Sequence, residues 1–293
     1  MDLKVIFPNR NIRQVERLNS LSSNKIFRVS FSDPDGDVII KSFPEDYKER
    51  MKKEIDILRI LERHKIPSPK LLLIDYDKMM IVESFLKGKT LLDIMLQKDT
   101  SDSMMKMVGR ELKKIHNIKD SELWQDTKQI ITNKDEWLFS VIRRNELNLN
   151  DIKNQKIVNI LPIERIKKYL EEFVVELKKS EIFLCPIHGD FNPANILIEN
   201  SHITGILDFE NHRIAHNLNE LGIIYYWFKF YSKEHFFQIL LDGYSKNINK
   251  KIIEGYYLMQ IIGALSFLIK NELDKKAVLR LKEMLNEFIL NME

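Results

Sequence analysis

The stretch HGDFNPANILIENSHITGILDFE, residues 188–210, constrains the fold more than any other part of the chain. Two short apolar runs, ILIE at 196–199 and ITGILD at 203–208, flank the polar NSH, and this pattern predicts a β-hairpin with a tight turn. Closing the hairpin brings Asn195, just before the first strand, and Asp208, at the end of the second, to the same open end. Paired strands lie about 4.8 Å apart. A magnesium ion holds oxygen ligands at about 2.1 Å and fills its remaining positions with water and substrate phosphates. Asn195 and Asp208 are therefore candidate metal ligands. Asp190 lies five positions before Asn195 in HGDFNPAN, where Gly189 and Pro193 predict a compact loop. A carboxylate there is placed to act as the catalytic base, accepting a hydroxyl proton while a nearby metal neutralises phosphate charge.

Upstream, KIFRVSF and VIIKSF surround the turn signal DPDGD and predict two paired strands, with Lys41 on the second. Met51, Ile55, Leu58 and Leu61 recur at helical spacing between Asp46 and His64, and Pro67 and Pro69 end that helix. KLLLID and MMIVESF complete a small sheet. Beyond Phe85 the periodicity turns helical, through TLLDIML, MMKMVGRELKKIHNI, NKDEWLFSVIRRNEL and IERIKKYLEEFVVELKK, and residues 214–290 are again mostly helical. The pattern predicts an α+β chain in two domains. Residues 1–85 form an antiparallel sheet with one main helix, residues 86–293 a larger, mostly helical domain, and residues 83–87 the hinge.

The net charge of +3 arises from 46 basic and 43 acidic residues that are interspersed, which argues against nucleic acid or an anionic membrane as a partner. Cys185 is the only cysteine, so an internal disulfide framework and a multi-thiolate zinc site are excluded; its apolar setting, IFLCPI, predicts a buried side chain. A reducing, cytoplasmic location is expected, since MDLKVIFPNRNIRQ lacks the apolar stretch of a signal peptide. YYLMQIIGALSFLI is apolar and flanked by charge, and it reads as a buried helix.

The HGDFNPANIL loop, the GILDFE strand and the KKEIDILRIL helix, in an order that agrees from about residue 18 to 270, resemble the aminoglycoside phosphotransferase and choline kinase group. These are small-molecule kinases with the bilobal protein-kinase-like fold. The resemblance implies that Asp190 is the catalytic aspartate, that Asn195 and Asp208 hold Mg2+, and that Lys41 contacts the nucleotide phosphates with Glu54 as its ion-pair partner. His188 matches a structural histidine that braces the loop. Ser22, Ser23 and Asn24 match the phosphate-covering loop, and backbone groups around Glu83 and Phe85 match the segment that meets the nucleobase.

Two segments depart from the pattern. SLSSNKIFRV has no glycine, although its small residues still allow close approach to phosphate. After Asp208 the chain reads AHNLNELG, with Glu220 in the place of a structural aspartate. The implied activity is Mg2+-dependent transfer of the terminal phosphate of ATP or GTP to a hydroxyl of a small molecule, with an aminoglycoside-type antibiotic as the first acceptor class. Glu210 and Glu220, with Glu234, Asp242 and Glu272, are the acids available to a polycationic acceptor. An amino alcohol or sugar metabolite, as in choline, homoserine or methylthioribose kinases, is the alternative, and YYWFKFY supplies rings for a cationic head group. A third reading, suggested by the two departures, is a catalytically silent kinase-like binding protein. Neither ATP over GTP nor an oligomeric state has a signal in the sequence.

Overall fold

β-Branched and aromatic residues crowd the first third of the chain, and they pair there into one antiparallel sheet. The computed structural model describes residues 3–18, 24–32, 36–119, 133–154, 162–245 and 248–291. Five strands, β1 (Ile12–Leu18), β2 (Lys25–Phe31), β3 (Val38–Ser42), β4 (Leu71–Asp75) and β5 (Met80–Ser84), lie in the order β1-β2-β3-β5-β4. Alternation along them gives two faces. Val29, Phe31, Val38, Ile40, Met80 and Val82 fill one, against Leu3, Ile6 and Phe7. On the other, Met51 and Ile55 of the helix Lys48–Arg63 pack with Phe43, Met79 and Ile81. β1 is an addition to the expected strands. Its sequence, IRQVERL, is charged and mostly exposed, which suits an edge strand but hides the apolar alternation that betrays an inner one.

The remaining strands among the described residues are β6 (Lys89–Thr90), β7 (Leu184–Ile187), β8 (Ile196–Glu199), β9 (His202–Ile206) and β10 (Arg213–His216). β8 and β9 form the expected hairpin, with β6 added at its edge. Asn200 and Ser201, at φ 49° and 61°, make its turn; positive φ at both positions matches the twist of the flanking strands. By contacts within the chain, Met1–Ile94 and Ala194–Glu210 make one compact unit, so the hairpin groups with the sheet; Met95–Pro193 and Asn211–Glu293 make the second.

The second unit is mostly helical. Among the described residues its helices are Asp102–His116, Lys134–Asn154, Ile163–Lys179, Asn217–Phe230, His235–Tyr244, Lys250–Lys270 and Lys275–Leu290. Lys250–Lys270 is long and apolar enough to cross a membrane by length and composition. In the structure its Ile252, Tyr256, Tyr257, Ile261 and Leu265 sit inside the principal core, with Trp137, Phe173 and Leu281 around them. A helix apolar on all sides is what such a position requires. Cys185 is buried as expected, and burial raises its thiol pKa. The β7–β10 pair, Arg213 opposite Ile187, was not legible, because each strand is only four residues long.

Candidate active site

Lys41 stands on β3 at the face covered by the helix Lys48–Arg63, and from that helix Glu54 reaches its ammonium at 2.7 Å. Both side chains are nearly buried. Asp208 adds a second carboxylate oxygen 3.4 Å from the Lys41 Nζ. Burial alone would lower the Lys41 pKa, but Glu54 first, then Asp208 and Glu83, outweigh it and raise it, so the group is a fixed cation. Removing one partner of such a pair strands the other charge in a dry interior.

The hairpin sets Asp208. The Leu207 N–H donates to the Asn195 carbonyl at 2.8 Å, so Asn195 and Asp208 flank one hairpin end. Asp208 holds φ 65° without being glycine, a left-handed conformation that surrounding structure must impose. Its side chain is 39% exposed. Next to it, Glu210 accepts from the Asn24 Nδ2 at 3.2 Å, and partial burial, then the Asp208 charge, raise its pKa. Asn24 is thus placed by Glu210, whereas Ser22 and Ser23 lie outside the described residues. The Phe85 N–H donates to the Asp37 carbonyl at 3.3 Å, and its ring carries the Arg28 guanidinium. Glu83 lies inside β5, between Ile39 and Leu71 of the adjoining strands.

The second unit carries Asp190. Gly189, at φ 84°, turns the chain where a Cβ would strike the Asn211 carbonyl and the Arg213 guanidinium, so only glycine fits. Glu220, fully buried, accepts the His188 N–H at 2.7 Å through one carboxylate oxygen and the Gly189 N–H at 2.8 Å through the other. His116 adds a third bond to it at 3.2 Å and is itself bonded to the Tyr244 hydroxyl. Burial would raise the Glu220 pKa, but these bonds and the neighbouring histidines hold it below the ordinary value. With both oxygens occupied in the interior, Glu220 is a loop brace and offers nothing to an acceptor. The buried His188 accepts the Asp190 N–H on Nδ1 at 3.3 Å. Sequence reasoning missed two partners. Trp227 donates its ring N–H to the Asp190 Oδ1 at 3.1 Å and stacks on Tyr231; His116 reaches Glu220 across 104 positions. Trp227 sits in the run YYWFKFY, whose ordinary role is core packing, and neither contact has a local spacing to announce it.

A family model described as the phosphotransferase enzyme family, APH, matches residues 14–256. The chain belongs to this family. It is a phosphotransferase, as the motifs implied. Among solved structures, the GDP complex of an aminoglycoside 2'-phosphotransferase-IIIa mutant shares 19% identity with it at a TM-score of 0.73, covering 99% of this chain and 95% of that one. The choline kinase LicA from Streptococcus pneumoniae shares 13% at a TM-score of 0.66, covering 99% and 98%. A macrolide 2'-phosphotransferase type I shares 12% at 0.70, covering 97% and 94%. These likenesses show the fold, the expected α+β arrangement of antiparallel sheet and helical remainder. No curated protein matches the chain.

The donor set of this phosphotransferase fits a hard cation. Among the described residues no three His, Cys, Asp or Glu side chains gather into a metal cage. The amide of Asn195 and the partly exposed carboxylate of Asp208 offer what magnesium takes from a protein when phosphates and water complete its shell.

Proposed function

We propose that this phosphotransferase moves the terminal phosphate of ATP or GTP to a hydroxyl of a small molecule, with an aminoglycoside-type antibiotic as the first acceptor class. The observation that carries the reading is the buried Lys41–Glu54 pair, with Asp208 beside it and Asp208 held at a strained φ. A lysine kept charged in a buried setting, next to a carboxylate that is only partly used, is an arrangement for binding phosphate together with a cation. Mg2+, held by Asn195 and Asp208, would supply charge neutralisation at the phosphates. Lys41 draws the phosphates and fixes their position. Asp190 accepts the proton of the acceptor hydroxyl as its oxygen bonds to the terminal phosphorus, and the bond from that phosphorus to the bridging oxygen breaks to release the nucleoside diphosphate. Trp227 donates to the Asp190 carboxylate and holds it in place. Glu210, whose pKa is raised by partial burial and then by Asp208, stays among the acids available to a cationic acceptor.

A second acceptor class, amino alcohols, is favoured by one observation. Trp227, whose ring N–H holds Asp190, stacks on Tyr231 with centroids 5.8 Å apart, so an aromatic wall stands beside the proposed base. The silent-binder reading is disfavoured by the retention of Lys41, Glu54, Asp190, Asn195 and Asp208. The test is to incubate the protein with Mg2+ and each nucleotide over a panel of aminoglycosides and amino alcohols and to follow nucleoside diphosphate. Acceptor-dependent turnover is expected; its absence with every acceptor would favour the silent binder.

A further inference from the structure

Two arginines of the second unit have no assigned role. Arg213, on β10 opposite Ile187, lies against the loop of the proposed base: a Cβ at Gly189, the residue before Asp190, would come within 2.6 Å of its Nη1. Its Nη1 donates to the Asn211 carbonyl and its Nη2 to the Asn219 Oδ1, both at 3.2 Å, and its Nε is buried without a partner. A guanidinium carries five N–H donors, so these neutral acceptors use part of its capacity and cancel none of its charge. Arg144 lies on the helix Lys134–Asn154, about two turns from Trp137 on one side and from Asp151 on the other, so the three share one line of that helix. Trp137 donates to the Tyr256 hydroxyl at 2.7 Å, and Asp151 accepts from the Ser266 hydroxyl at 3.1 Å. Arg144, midway, therefore stands on the side toward the helix Lys250–Lys270, and Tyr256 is within reach of its charge. Among the described residues Arg144 makes no hydrogen bond, and neither arginine is ion-paired with a carboxylate.

Arg144 is exposed to solvent, yet the protein around it lowers its pKa; a side chain in that state lines a concave surface. Burial first, and then the Arg144 charge, lower the Arg213 pKa to about 10, so the two guanidinium groups repel each other across that surface. The acids in range do not neutralise them. Glu220 has both oxygens bonded inside the fold, and Asp190 is held by Trp227 for the acceptor hydroxyl. The Tyr256 hydroxyl is taken by Trp137 and by the His216 Nδ1 at 2.9 Å. Like charges left together and partly dehydrated are unfavourable until an anion joins them. We propose that Arg144, backed by the charge of Arg213, binds a carboxylate or phosphate of the acceptor, so that the substrate of this phosphotransferase is a hydroxyl compound bearing an acid group. This rests on the kinase reading, with Asp190 as the base. It refines the choice of acceptor: an amino alcohol that also carries an acid fits, whereas a polycation meets two positive charges. A guanidinium matches either oxyanion through paired N–H groups.

Ligand-observed NMR titration of the full chain with Mg·ADP present tests this without turnover. The probes are glycerol, glycerate and glycerol 3-phosphate, together with 3-aminopropanol and homoserine, so that each acid-bearing compound has a counterpart without the acid. The wild type should bind the acid-bearing members more tightly, and glycerate against glycerol 3-phosphate tells which oxyanion is preferred. Arg144→Leu should lose about tenfold to a hundredfold of that preference. Arg144→Lys, which keeps the charge without the fork, should fall between. Arg144 is exposed and unbonded, so both variants should fold. Equal or no binding of the probes by the wild type, or a preference unchanged in Arg144→Leu, would overturn the acid site and leave the kinase reading intact. Acid-selective binding lost in Arg144→Leu, with no turnover of any acceptor, would support the acid site and count against the kinase reading alone.

Discussion

Two buried glutamates, one in each unit, behave in opposite ways. Glu220 accepts the His188 and Gly189 N–H groups and a bond from His116, and its pKa is lowered. Glu83, almost as deeply buried, has an oxygen with no partner, and its pKa is raised to about 8. The lesson is about what a buried charge is for. A carboxylate whose lone pairs are used up within the fold holds the backbone in place, whereas one left unbonded carries a standing desolvation cost and is driven toward its neutral form.

The contrast can be broken most sharply at Glu220. Glu220→Ala leaves two backbone N–H groups and the His116 Nε2 without their partner in the interior and should cost about 3–5 kcal/mol in chemical denaturation. A loss below about 1 kcal/mol would show that the brace is not under load. Trp227→Phe removes one bond to the Asp190 carboxylate and keeps the ring; the expected result is a fall in kcat of about tenfold, with nucleotide affinity unchanged, read from steady-state kinetics. Glu83→Leu should act the other way and raise stability at pH 7, because it removes a buried carboxyl that resists ionisation.

The two glutamates also differ in sign with pH. Between its ordinary 4.5 and about 8, Glu83 keeps a proton in the folded chain that the unfolded chain has lost, so stability falls as pH rises. The slope reaches up to about 1.4 kcal/mol per pH unit, and Glu83→Leu should flatten it. Glu220, with its lowered pKa, stabilises the fold above the ordinary carboxylate range, and that stability is lost as the pH falls through the folded value. Denaturation midpoints from pH 4 to 9 for the wild type and Glu83→Leu separate the two; parallel curves would mean that Glu83 titrates alike in the folded and unfolded chain.

Local pattern carried much of this site. Alternation gave the hairpin and the Lys41 strand, helical spacing gave the helix that carries Glu54, the family resemblance gave its pairing with Lys41, and the tight turn at Asn200–Ser201 set the hairpin end shared by Asn195 and Asp208. What escaped is either short or distant. β7 and β10 are too brief to show a period. The exposed edge strand β1 has no apolar face to read. Trp227 to Asp190 and His116 to Glu220 are contacts that only the folded chain creates. The fate of Glu220, a brace and not an acceptor group, depends on burial that no spacing in AHNLNELG reveals.

The central claim is that Asp190 performs chemistry while Asn195 and Asp208 hold the nucleotide through a cation. The most direct measurement compares Asp190→Ala with Asp208→Ala in Mg·ADP titration and in turnover with an active acceptor. The account predicts that Asp190→Ala loses at least about a hundredfold in kcat with wild-type ADP affinity, and that Asp208→Ala loses Mg2+-dependent affinity. Near-full turnover in Asp190→Ala, or unchanged metal-dependent affinity in Asp208→Ala, would contradict it.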